Sequence, residues 1–270
     1  MKNLDQILDP KTEDGRSYYL HLREGDMPGY VIIPGSPERT AKIAANWENV
    51  RDVAHSRHYI SKRGVYQGME QGTTSTGIGA LSAEICLNEL KKSGVHTVLR
   101  VGTTGCIDPN FENGDLLIPV ACIARDGSSE CYIDPEFPSF ADPVMVMALA
   151  EACERLGFRY GLALEYTAGS FYLGQGRPLG DEPDSYWPSW AKDIMPDIEQ
   201  QGVKVLEMDT AGQFIIGYLH GMRIAAVLSV VAARKNNNFA YNNGEEKACL
   251  AASEALKILK EWDERGEFGR

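Results

Sequence analysis

This chain has no Gly-x-x-x-x-Gly-Lys-Ser/Thr loop and no Gly-x-Gly-x-x-Gly turn, which removes two specific signatures of nucleotide phosphate binding. It has no Cys-x-x-Cys pair and no Cys/His group at zinc spacing, so no metal is expected. Its six cysteines (Cys86, Cys106, Cys122, Cys131, Cys153, Cys249) read as buried, reduced thiols of a cytoplasmic protein. No Gly-x-Ser-x-Gly elbow or clear Ser/His/Asp arrangement offers an acyl-transfer nucleophile. The start, Met1-Lys2-Asn3-Leu4-Asp5, lacks an apolar signal core, and no run reaches membrane-spanning length. Linkers, low-complexity tracts and internal repeats are missing as well. The 270 residues are therefore read as one domain, 1–270, in which the polar stretch 1–17 is expected to be a mobile arm or a cap over a neighbour. Positive charge is scarce, since 27 Lys+Arg against 38 Asp+Glu leave a net −11. That balance disfavours nucleic acid and anionic membranes as partners. Arginines in such a chain are local positive spots, which suits a small anionic ligand.

Two segments place arginines where an anion could sit. Arg100-Val101-Gly102-Thr103-Thr104-Gly105 comes directly after the apolar run Thr97-Val98-Leu99, which predicts a buried strand with Arg100 at its C-terminal end. Ligands of open α/β sheets sit at that end. A guanidinium binds phosphate bidentately, and threonine hydroxyls and N–H groups fill the remaining lone pairs. Alone, the segment fits an ordinary strand-to-loop turn equally well. The second segment is Tyr30–Ile33 together with Pro34-Gly35-Ser36-Pro37-Glu38-Arg39. Gly35 lets backbone N–H groups approach an anion, Ser36 is expected to cap a helix, and Pro37 suits its first turn. A helix start favours negative charge, and Arg39 lies on it. Together the two strand ends point to free phosphate.

Periodicity predicts a helix over 37–46, antiparallel strands between about 50 and 75, and an amphipathic helix to about Lys92. Strands are expected over 97–102, 114–123, 162–168 and 203–206, with a very apolar one over 223–231. Helices are expected over 143–156, 188–201 and 210–220, and from the polar loop 235–244 to about Asp263. The Gly/Pro/Asp-rich loop 174–188 has the length usually kept for binding. The class is α/β, a mixed-sheet sandwich.

Other residues are ambiguous taken singly. Glu207-Met208-Asp209 could accept from the hydroxyls of a sugar, but acids at a helix start are common without any ligand. Phe171-Tyr172-Leu173-Gly174-Gln175-Gly176-Arg177 sets an aromatic, an amide and a guanidinium on one glycine-rich loop, the donors and acceptors that a uracil face presents to. His21 could cap a sugar hydroxyl, Arg57 could be an anion contact or a surface charge, and Arg234 closes the strand 223–231. His55, His58, His96 and His220 have no ligand-like spacing and read as structural.

Five segments then occur in family order: Ile33-Pro34-Gly35-x-Pro-Glu-Arg39, Thr76-Gly77-Ile78-Gly79, Leu99-Arg100-x-Gly-Thr-Thr-Gly105, Phe171-Tyr172-x-Gly-Gln-x-Arg177 and Glu207-Met208. From about His21 to the C-terminal helix the chain resembles the hexameric-type nucleoside phosphorylases, and most closely their uridine-cleaving members. The resemblance implies a three-layer sandwich with a central mixed sheet or partial barrel flanked by helices. It implies reversible phosphorolysis of uridine to uracil and ribose 1-phosphate, with phosphate as co-substrate and no cofactor. It implies a homo-oligomer, dimer or hexamer, with shared sites. By the same resemblance Gly35, Arg39, Arg100 and Thr103 hold phosphate, with Arg57 reaching in from a neighbour. Glu207, Met208 and Asp209 hold the ribose, and the neighbour's His21 its 5′ hydroxyl. Thr104, Gly105, Phe171, Gln175 and Arg177 hold uracil with Arg234 near it, and Arg100, Gln175 and Arg177 carry the catalysis. Purine-specific members have a Ser-Asp after the last core strand, whereas Ser229–Arg234 here contains no acid.

Three departures stand out. Asp209 replaces the usual Glu, and Ser36 replaces a common Asp. His58 replaces a Glu that helps some bacterial members bind a potassium ion, so that ion is not expected. Segment 178–202 has no clear counterpart. The alternatives are a phosphorylase of other base or sugar preference (purine nucleosides, deoxyuridine, thymidine), a nucleosidase using water, and a non-catalytic nucleoside-binding protein. The arginines argue against water, and arginines, base loop and ribose acid together argue against mere binding.

Overall fold

A computed structural model describes residues 7–180, 185–241 and 243–269. Residues 1–6 of the expected arm, 181–184 of the long loop and 242 of the polar loop lie outside the described residues. Part of the remaining arm is tied down, with Lys92 bonding Asp9 and the Arg16 guanidinium donating to the His21 carbonyl.

Among the described residues eleven strands share one mixed sheet. The central strand β5 (Thr97–Cys106) runs parallel to β1 (Tyr30–Pro34) on one side and β10 (Arg223–Ala233) on the other. Burial on both faces explains why its first half is an apolar run. Past β1 the sheet continues as a wing of β4 (Met69–Thr74), β3 (Tyr59–Tyr66) and β2 (Glu48–Ser56), the antiparallel pairs expected there. Past β10 come β6 (Leu116–Arg125), β8 (Tyr160–Ala168) and β9 (Val203–Glu207). β9 then pairs antiparallel with the far end of β5, through Leu206 and Gly105, closing a five-stranded barrel. The short strands β7 (Ser139–Phe140) and β11 (Asn238–Phe239) decorate β6 and β10.

Helices cover the sheet in two groups. α1 (Arg39–Ala44), α3 (Pro143–Leu156) and α6 (Glu245–Glu264) pack together, and α2 (Ala80–Lys92) packs on α5 (Thr210–Leu219). α4 (Ser189–Gln200) lies against β9 and the loop around Leu173–Gln175. α3 illustrates the local logic: Asp142 Oδ1 accepts from the N–H groups of Val144 and Met145, Pro143 fills the first turn, and Gly157 ends the helix in the left-handed region. Such a cap stabilises by about 1 kcal/mol. No helix among the described residues is long and apolar enough to cross a membrane.

Two local expectations change. β5 runs through Cys106 rather than stopping near 102, so Arg100 is a mid-strand residue. The helix expected from Pro37 begins at Arg39 and has only six residues. No side chain caps it, and Ser36 offers its carbonyl to Arg39 N–H. Five cysteines are buried as expected, and Cys131 is exposed.

Candidate active site

β1 stops at Pro34, opposite Val101, while β5 continues toward β9. The divergence leaves a crevice beside β5, and a cavity of about 780 Å³ occupies it. Gly35, Arg39 and Arg100 line one end, Thr103, Thr104 and Gly105 its floor, Glu207, Met208 and Asp209 a wall, and Phe171, Gln175 and Arg177 the other end. Twelve of the fifteen expected site residues therefore meet in one place.

At the first end the backbone is brought close by glycine. Gly35 and Gly77 face each other through the Gly77 N–H to Gly35 carbonyl bond, and a Cβ on Gly35 would sit 3.2 Å from the Gly77 carbonyl. Arg100 is 4% exposed, and its guanidinium folds over Gly102, where a Cβ would lie 3.1 Å from Nη2. Arg100 Nη2 donates to Glu207 Oε2 and Asp209 Oδ2, both at 2.8 Å, leaving Nε and Nη1 without an intramolecular acceptor. Arg39 Nη2 donates to Glu245 Oε1 at 2.6 Å, while Lys42 bonds the other oxygen at 2.7 Å. Burial alone would raise the Glu245 carboxyl, but those two cations hold it below the usual carboxylate range.

The acids of the wall and of the strand behind it differ in how burial and their partners shift them. Burial opposes charge on Glu207, yet Arg100 and the N–H groups of Thr210 and Asp209 hold its pKa below normal. Burial pushes Asp209 up to about 6; Glu207 adds to this, whereas Arg100 and the Gly79 N–H counter it. Glu165 of β8, fully buried, is pushed well above the usual range by burial and then by Glu207. Thr104 lines the floor, but its hydroxyl is engaged by the backbone of Gly105 and Leu206.

At the far end Arg177 lies 4.0 Å over the Phe171 ring and donates to Gln175 Oε1 at 2.6 Å and the Phe171 carbonyl at 2.7 Å. A guanidinium only donates, so the amide oxygen must face Arg177 and the Gln175 NH₂ the opposite side. Burial, then the neighbouring Arg234, lowers the Arg177 pKa to about 10.

Three expected residues stay outside the cavity. Arg234 lies behind the base loop, donating from Nη1 to the Gln175 carbonyl at 2.8 Å. Arg57 stacks on Tyr19 at 4.5 Å and Tyr18 at 5.3 Å. His21 lines a separate cleft with Asp14 and Arg16. Glu245 and Glu165, behind the cavity, and Phe239, in its lining, are not among the residues expected from the sequence. Phe239 lines the cavity mouth although 68% exposed. A signal existed for Glu165, a lone acid in the apolar strand Leu162-Ala163-Leu164-Glu165-Tyr166, where an unpaired charge is costly. Glu245 gave none, since acids are ordinary at a helix start.

A family model described as the phosphorylase superfamily matches residues 30–261. The uridine phosphorylase of Thermococcus kodakarensis is 42% identical over 258 residues, covering 96% of this chain and 92% of that protein. The uridine phosphorylase of Treponema pallidum is 31% identical over 250 residues, covering 90% and 93%. The crystal structure of uridine phosphorylase from Vibrio fischeri ES114 matches with a TM-score of 0.81 at 26% identity, covering 92% of this chain and 99% of that one.

Proposed function

This chain belongs to the phosphorylase superfamily, and from its cavity we propose that it is a uridine phosphorylase, cleaving uridine reversibly with inorganic phosphate to uracil and ribose 1-phosphate. One observation carries the reading: a single cavity holds two buried arginines at one end, an acid at its wall, and an amide–guanidinium pair over an aromatic ring at the other. The ends match the two things the reaction must hold apart and align, an anionic nucleophile and a base that leaves as an anion.

In this reading phosphate lies on Arg100 and Arg39 beside Gly35 and Thr103, on the face of the sugar opposite the base. The ribose hydroxyls donate to Asp209, with Met208 against the sugar. The C1′–N1 bond breaks as a phosphate oxygen bonds C1′, through an oxocarbenium-like sugar. The bonding electrons leave with uracil, whose carbonyl charge Arg177 and the Gln175 amide stabilise. Placement and charge stabilisation supply the acceleration, and the reaction as written needs no cofactor. A neighbouring copy would add His21 and Arg57, which makes the working form a homo-oligomer in the cytoplasm. Uridine turnover with and without phosphate tests the reading. Phosphate-dependent release of uracil is expected; release without phosphate would point to hydrolysis, and binding without release to a nucleoside carrier.

A further inference from the structure

The molecule places one carboxyl under the site that the reaction above does not use. Glu165 on β8 is paired in register with Val205 of β9, so Glu207, two residues on, is its diagonal neighbour on the same face. Thr167, opposite Glu207, donates from its hydroxyl to Glu165 Oε1 at 2.8 Å and accepts from the Ala211 N–H of α5 at 3.1 Å. Glu165 Oε2 has no donor beside it. Glu207 is the reverse case: Arg100 Nη2, Asp209 N–H and Thr210 N–H all donate to it, which favours its ionised form. Around Glu165 stand Glu207 of β9, Arg100 of β5, the Cys122 thiol of β6 and, beyond Arg100, Asp209 at the start of α5. Three buried carboxyls thus lie around one guanidinium, which bonds two of them, where an anion is to bind.

We propose that Glu165 is a positioning residue held as a neutral carboxylic acid, donating its O–H to Glu207 and thereby fixing Arg100 for the anionic co-substrate. An ionised Glu165 would repel Glu207 and add a second uncompensated negative charge beneath the phosphate position. A neutral acid does the opposite. Its proton fills the last acceptor direction of Glu207, whose two oxygens then hold Arg100 and the first N–H groups of α5 as one rigid unit. Burial without a cation of its own is what keeps the proton on Glu165, in line with its strongly raised pKa. The inference rests on the phosphorylase reading for its consequence, but the protonation state can be measured without turnover.

Three measurements test it on the full-length protein. Infrared difference spectra of wild type minus E165Q are expected to show the carbonyl stretch of a protonated carboxylic acid at neutral pH. Second, an acid neutral in the fold but ionised when unfolded weakens folding as pH rises above the ordinary carboxylate range. E165Q lacks that loss, so its Tm relative to wild type should rise between about pH 5 and about pH 8. Third, E165L, which keeps volume but not the donor, should lose about 100-fold in phosphate-dependent kcat/KM through misplacement of Arg100. E165Q, which keeps an N–H donor toward Glu207 and an acceptor for Thr167, should recover most of that loss. A missing carbonyl band, a pH-independent Tm difference, or E165Q as impaired as a folded E165L would each overturn the assignment. Absence of uridine turnover in wild type would instead overturn the proposed reaction, and the band and the Tm series would still decide the state of Glu165.

Discussion

At the proposed anion end of the cavity Arg100 rises from the middle of a central strand and Arg39 from the first turn of α1, each against a buried carboxylate. At the base end Gln175 and Arg177 sit on a loop, held by each other, by the Phe171 ring and by backbone carbonyls. The chemistry accounts for the difference. A phosphate brings full charge, so its receivers need pre-set orientation and counter-charge to remain folded when empty. In the proposed reaction a neutral base needs hydrogen-bond pattern more than charge, which the amide and guanidinium of a loop can supply.

The comparison breaks first at Arg100. Arg100→Ala removes an anion contact and leaves Glu207 and Asp209 buried without their cation, so phosphorolysis should fall about 10³-fold and stability by about 3–5 kcal/mol. Turnover at saturating uridine over a phosphate titration, with Tm alongside, checks both; unchanged phosphate dependence would remove the anion assignment. At the base end the effect should be smaller and selective. Gln175→Ala and Arg177→Ala should each erode uridine preference over cytidine and inosine by about 1–3 kcal/mol while leaving Tm nearly unchanged. Turnover of the competing nucleosides at equal concentration is the measurement.

Glu245 sharpens the contrast, because it lies outside the cavity and acts through Arg39. Glu245→Gln should raise KM for phosphate about 10-fold, by loosening one charged contact, and leave KM for uridine as it was. Equal effects on both would mean that α6, rather than the anion end, had moved. The smallest expected effect is a pH limb. With Asp209 raised to about 6, chiefly by burial, its sugar-accepting ionised form is lost as pH falls through that value. kcat/KM for uridine should decline several-fold from about pH 7 to about pH 5. Asp209→Asn should flatten this limb at lower activity, and any slope left belongs to phosphate itself.

Much of the cavity was legible because its parts are local. Gly35 to Arg39, Arg100 to Gly105 and Phe171 to Arg177 each lie within seven residues, where an apolar run and its closing glycine reveal the strand and the turn beyond it. Boundaries were less legible, since they depend on neighbours. β5 extends to Cys106 because β10 and β9 continue to pair with it after β1 ends, and α1 shrinks because the loop before it is held against Gly77.

The sequence by itself indicated the main elements and their order, and it singled out the arginines and loop residues that the cavity gathers. Only the tertiary structure decided which acids stand behind those arginines. Arg100 meets Glu207 across 107 residues and Arg39 meets Glu245 across 206, contacts that exist only once the barrel has closed and α6 has docked. It also left His21 and Arg57 outside this chain's own cavity and set Arg234 behind the loop. The raised carboxyl pKa values of Glu165 and Asp209 belong to the same class. A carboxyl has one ordinary pKa in the sequence, and burial beside another carboxyl is what moves it.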